Sequence, residues 1–190
     1  MAIRKPIPKQ AFEVLQYWFL ELQPADWFSS SSEIDAEIAS RFAKTLDEAA
    51  AGTLDHWAET PQGLLALVIV LDQFSRNIHR GSGEAFANDA KAQALTLQAI
   101  ETGADAKLGM NERHFLYMPL MHAEDLKMQD MGIAKYESLA ETAAGVTGFC
   151  VHHRDIIAQF GRFPYRNAAL NRASSAEEQA FLDKEGNPFA

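Results

Sequence analysis

The sequence predicts an all-α protein. Two observations carry this: helix start and stop signals recur along all 190 residues, and alternating apolar and polar runs bounded by turn residues are scarce. The links between predicted helices are short, which makes chain neighbours antiparallel and gives a stack of helical hairpins or an irregular bundle. A length of 190 residues fits one domain, 1–190, able to bury about 70% of its unfolded surface.

The first helix is predicted over about Lys9 to Leu22, with Phe12, Leu15, Phe19 and Leu22 on one face, and Pro24 ends it. Ser30 with Glu33 caps a second helix that buries Ile34, Ile38, Phe42 and Leu46. Thr60 followed by Pro61 opens a third, because proline at the first helical position gives up only a donor that had no partner. Gly81 and Gly83 close it, and Ser82 with Glu84 begins a fourth that ends near Gly103. Asn111 caps a fifth, "ERHFLYMPLMHAEDL", in which Pro119 removes the bond to the Phe115 carbonyl and predicts a kink or break. Helices over about Ile133 to Thr142 and Val146 to Phe160 follow, then a short last one capped by Ser174 or Ser175 with Glu177 or Glu178. No 34-residue self-similarity is visible, so spacing gives no tetratricopeptide array.

Composition excludes several classes of function. The longest apolar run, Gly63 to Leu71, is half of a membrane span and reads as a core helix segment, so no membrane association is expected. The single cysteine, Cys150, leaves no internal disulfide, and "MAIRKPIPKQ" lacks the apolar run of a targeting segment, which makes the cytoplasm the default location. A formal net charge of -9 repels nucleic-acid phosphates. Yet six of the nine arginines fall within residues 76–80 and 154–172, a segregation that suits a compact anion site better than a long groove.

The stretch "LDQFSRNIHRG", residues 71–81, concentrates that charge. Asp72, Gln73, Arg76, Asn77 and Arg80 span an arc of about 140° on the helix, opposite Leu67, Leu71, Phe74 and Ile78. One turn upstream, Leu65, Ile69 and Val70 occupy the same arc, so the polar groups project from a helix buried all round and require partners. Asp72 can pair with Arg76, whereas Arg76 and Arg80 repel at the same spacing. An anion between them relieves this; so does a carboxylate from another helix, which makes the cluster a structural lock.

Two further stretches supply partners. In "FLYMPLMHAED", His122 beside a carboxylate such as Glu124 or Asp125 has the makings of a general base, imidazole being the side chain that ordinarily titrates nearest neutrality. The plainer alternative is that the carboxylates pair arginines and His122 caps a helix. In "HHRDIIAQFGRFPYRN", Arg162 and Arg166 flank a Phe-Pro-Tyr turn, and guanidinium forks suit bidentate carboxylate or phosphate contacts. His153 is a second proton carrier or a neutral core group. The histidines and carboxylates have no recognised metal spacing, and nothing calls for a cofactor.

"LDQFSRNIHRG", "FLYMPLMHAED" and "GRFPYRNAALNR", in that order, resemble the bacterial domain-of-unknown-function 924 family over nearly the whole chain. The resemblance implies a tetratricopeptide-like helical architecture and no established activity. It marks Asp72, Gln73, Arg76, Asn77, Arg80 and Gly81; Tyr117, Pro119, His122 and Glu124; and His153, Gly161, Arg162, Pro164, Arg166, Asn167 and Arg172. Ser75 stands where the pattern usually has proline, which implies a straighter helix. Tyr165 stands where it often has histidine, and Asn171 where it usually has glycine.

The sequence thus leads to two expectations. In the first, the three motifs meet in one pocket for a small anionic molecule. Arg76, Arg80, Arg162 and Arg166 clamp it with Gln73, Asn77 and Asn167, Asp72 and Glu124 orient the arginines, and His122 or His153 moves protons. In the second, the same residues are struts of a tetratricopeptide-like scaffold that takes a peptide or protein partner.

Overall fold

The computed structural model describes residues 5–186 except 169; the side chains of residues 145–151, 153 and 166 lie outside the description. Every regular element among the described residues is helical, as the sequence predicts. The α-helices are α1 (Lys9–Gln16), α2 (Ser32–Ala50), α3 (Pro61–Val68), α4 (Ser75–Ile78), α5 (Asp89–Glu101), α6 (Met110–His122), α7 (Leu126–Phe160) and α8 (Ala176–Glu185). The chain forms two compact units, Met1–Glu137 and Ser138–Ala190.

The core of the first unit is the rod from α3 to α4. Thr60 caps it by accepting from the Gly63 amide, with Pro61 in the first turn, as expected. Every residue from Gly63 to Phe74 is buried, because α1, α2, α5 and α6 all pack around this rod. Gly63 is needed there: a Cβ would lie 2.2 Å from the Trp57 carbonyl oxygen.

Two π-helical turns interrupt the α-geometry, Tyr17–Glu21 after α1 and Ile69–Phe74 between α3 and α4. The wider turn leaves backbone carbonyls without their usual amide, and side chains answer them: Trp27 Nε1 donates to the Trp18 carbonyl at 2.7 Å, and Arg76 Nη1 to the Asp72 carbonyl at 2.9 Å. Rings seal the two turns against each other, with Trp18 and Phe74 centroids 5.7 Å apart and Phe115 edge-on to Trp18.

Several boundaries differ from the sequence reading. The buried stripe of α1 is Ala11, Val14 and Leu15, continued by Trp18, while Phe12 is half exposed; small Ala11 lets α1 approach α3 closely. Ser31, not Ser30, caps α2, and Ile38, Phe42 and Leu46 are buried beneath it. The expected fourth helix is split into a 3-10 turn, Gly83–Phe86, and α5. Helix α6 runs through Pro119 and stops at His122; Thr96 and Tyr136 hydroxyls donate to the Leu116 and His114 carbonyls around the proline. The two helices expected over 133–160 are one, α7, since an internal glycine costs about 1 kcal/mol but supplies no stop signal without a following proline or cap. Serine at position 75 does not restore a regular helix: the π turn ends immediately before it. Asn171 has a φ of 52°, a left-handed backbone that explains glycine as the usual residue there.

Candidate functional site

The π turn at Ile69–Phe74 places Asp72 where no solvent reaches it; the residue is 1% exposed. An isolated carboxylate there would be prohibitively costly, and three donors compensate. His122 Nδ1 lies 2.8 Å from Oδ1, Arg76 Nη1 lies 3.1 Å from the same oxygen, and the Gln73 amide donates to Oδ2. A carboxylate that receives a guanidinium and an amide is the acceptor, so Nδ1 of His122 carries the hydrogen and Nε2 is left as the basic nitrogen. His122 is held at that spot because α6 ends on it and Ala123 turns extended.

In front of this cluster lies a pocket of about 680 Å³, lined by Arg76, Phe86, Asp89, His122, Glu124 and Asp125. Asp89 grips Arg76 end-on, Oδ1 to Nη1 at 2.8 Å and Oδ2 to Nη2 at 3.0 Å, and the guanidinium carbon sits 5.5 Å from the Phe86 ring centre. The side edge of the fork, Nε and the second Nη2 hydrogen, meets no acceptor among the described residues. The described polar lining is therefore one half-engaged guanidinium, one imidazole, the Gln93 amide and three carboxylates, of which Asp89 is paired with Arg76.

Two of the other arginines expected in the clamp, Arg80 and Arg162, each find a carboxylate within their own unit. Arg80 turns to Asp35, donating from both Nε and Nη2, and Asn77 Nδ2 donates to the same carboxylate at 2.8 Å. The Arg80 bonds hold the Asp35 carboxyl below its ordinary range although burial opposes them. Arg162 is answered inside the second unit by Glu178, which also receives Asn167 Nδ2 at 3.3 Å and the Ser175 amide at 2.7 Å. The side chains of His153 and Arg166 lie outside the described residues. The physical reason is plain: Arg76, Arg80 and Arg162 each meet a carboxylate that packing brings to them, and the spacing of arginines does not disclose where the acids land.

Sequence reasoning missed Asp35, Phe86 and Asp89. It also missed a second buried carboxylate, Asp105, which accepts from Tyr117 Oη at 2.7 Å and Lys135 Nζ at 2.9 Å and ties the start of α7 to α6. Burial works to raise the Asp105 carboxyl, but the bonds from Lys135 and Tyr117 outweigh it and hold it low. Asp89 was open to discovery, since "FAND" after a short turn is a plausible return toward Arg76; Asp35 and Asp105 carry no such local signal. Among the described residues no helix is long and apolar enough to cross a membrane, and no histidine, cysteine or acidic cluster forms a metal cage.

No curated protein matches this chain. A solved structure does: a protein of unknown function, ATU0120, from Agrobacterium tumefaciens is 34% identical, with a TM-score of 0.65 over 92% of this chain and 97% of that one. The model of a family of bacterial proteins of unknown function, DUF924, matches residues 14–186. With both the family pattern and a full-length relative in agreement, the chain belongs to the DUF924 family.

Proposed function

We propose that the protein binds a small polar molecule in the pocket before Asp72, and that the molecule carries both charges. Its carboxylate or phosphate meets the open side edge of Arg76, as the sequence suggested for an anionic ligand. A cationic group on the same molecule lies against Glu124 and Asp125. The observation that carries this reading is the Arg76 fork, gripped end-on by Asp89 with its side edge left over in a pocket that Glu124 and Asp125 also line. A purely anionic guest would meet the like charges of Glu124 and Asp125 there, and Asp89 already shares Arg76. An α-amino acid has the right pair of groups.

The test is a thermal-shift panel of L-alanine, phosphate, sulfate and succinate on the wild type and on the Glu124→Gln/Asp125→Asn double variant, whose changes are at exposed positions. Binding of the folded state raises the melting temperature. L-Alanine is expected to stabilise the wild type and to lose that effect in the double variant. Stabilisation by phosphate or sulfate alone would remove the cationic half of the reading, and no shift with any compound would remove all of it.

A further inference from the structure

We infer that this pocket hydrolyses small aminoacyl esters or amides by direct attack of water, with His122 as general base; the inference rests on the pocket being the ligand site. The geometry is that of a base with an orienting carboxylate. Asp72 is buried, it receives Nδ1–H of His122 at 2.8 Å, and the second nitrogen belongs to a residue that lines the pocket. Gln73 and Arg76 bind the same carboxylate, so the imidazole plane has a fixed backing. A histidine serving only as a helix cap would need none of this.

The composition of the pocket selects the nucleophile. Among the described residues its lining contains no serine, threonine, cysteine, lysine or tyrosine, and its histidine is tied to Asp72 as the base, so we take water as the nucleophile. The charges select the substrate. Glu124 and Asp125 take the ammonium of the aminoacyl group, and the open edge of Arg76 faces developing negative charge. Nε2 of His122 removes a proton from water as the water oxygen bonds to the carbonyl carbon, and the carbonyl electron pair moves to the oxygen held by Arg76. Collapse of that intermediate restores the C=O bond and breaks the bond to the leaving nitrogen or oxygen, which receives the proton from Nε2. One water is consumed. The products are an amine or alcohol and an amino acid, whose carboxylate then occupies the edge of Arg76 that held the oxyanion. Arg76 and His122 are the catalytic residues, and Asp72 is a positioning residue.

The experiment is hydrolysis of L-alanine p-nitroanilide and L-alanine methyl ester by the full chain, with the L-alanine thermal shift run alongside. Wild type is expected to exceed the buffer rate and His122→Gln to lose at least about 100-fold in kcat. Asp72→Asn is expected to lose about 100-fold or more in kcat with KM unchanged and L-alanine binding retained, a split that a merely structural role would not give. Glu124→Gln/Asp125→Asn is expected to raise KM about tenfold with kcat unchanged. Hydrolysis no faster than buffer, or equal in wild type and His122→Gln, overturns the catalytic inference. If L-alanine still stabilises the wild type in that case, the binding reading stands; if it does not, both fall.

Discussion

Two buried carboxylates, one in each unit, are answered in similar ways but by different kinds of partner. Asp72 and Glu178 are 1% and 3% exposed, and each is bonded by an arginine that the sequence singled out. Glu178 takes both prongs of Arg162, the Asn167 amide and the backbone amide of its own cap residue, Ser175. None of those partners is an imidazole, and the cluster closes the turn at Pro164–Arg166 onto the start of α8. Asp72 instead has an imidazole among its partners, and an imidazole bound through one nitrogen has another to present. What sets Asp72 apart is therefore not burial or pairing but the second nitrogen of its imidazole partner, on which the proposed hydrolysis rests.

The comparison can be broken at several points, and the largest effect belongs to Asp72. Replacing it by alanine strands His122, Gln73 and Arg76 around an empty buried position, and urea unfolding is expected to show a loss of about 3–5 kcal/mol. A loss under 1 kcal/mol would mean that Asp72 anchors nothing.

Arg162→Ala is expected to cost less and to act locally, because Glu178 keeps its bonds to Asn167 and the Ser175 amide. Hydrogen exchange should quicken in α8 while α3 and α4 stay protected; uniform acceleration across the chain would contradict a strut confined to this turn.

Acid probes the Glu178 cluster directly. The bonds from Arg162, and then from the Ser175 backbone, lower the Glu178 carboxyl from 4.5 to about 2. A group depressed in the folded state contributes stability above its unfolded value and loses it as pH falls through the folded one. The α8 turn should thus weaken progressively between about pH 4.5 and 2, and the Arg162→Ala variant should lose most of that dependence. An identical acid profile in wild type and variant would detach Glu178 from Arg162.

The smallest effect is expected at Arg80. Its pair with Asp35 is partly solvated, so Arg80→Ala should cost at most about 1 kcal/mol and leave the L-alanine shift untouched. Loss of ligand binding in that variant would return Arg80 to the pocket and revive the wider clamp.

Much of the fold was legible because helix signals are local. Thr60–Pro61 and the Ser175–Glu178 capping box sit where their side chains predict, since a cap satisfies amides only two or three residues away. The π turns were not legible: a shift from a four- to a five-residue bond leaves no mark in apolar spacing as short as "GLLALVIVLDQF", and it is decided by what packs around the rod. The same holds for the join of the two predicted helices into α7 and for the exposure of Phe12.

By itself, the sequence determined that the chain is helical, that the end of the buried rod carries polar groups needing partners, and that His122 and Asp72 are among the residues with chemistry to offer. The tertiary structure decided the pairings. It brought His122 and Arg76 to one oxygen of Asp72, sent Arg80 to Asp35 and Arg162 to Glu178, and set Asp89, Glu124 and Asp125 in the lining of the pocket. Local rules reach only three or four residues along the chain, whereas Asp72 meets His122 fifty residues away and Arg80 meets Asp35 forty-five residues away. Those encounters are set by which helix faces pack, and charge follows packing because burial of an unanswered ion costs more than any local preference can supply.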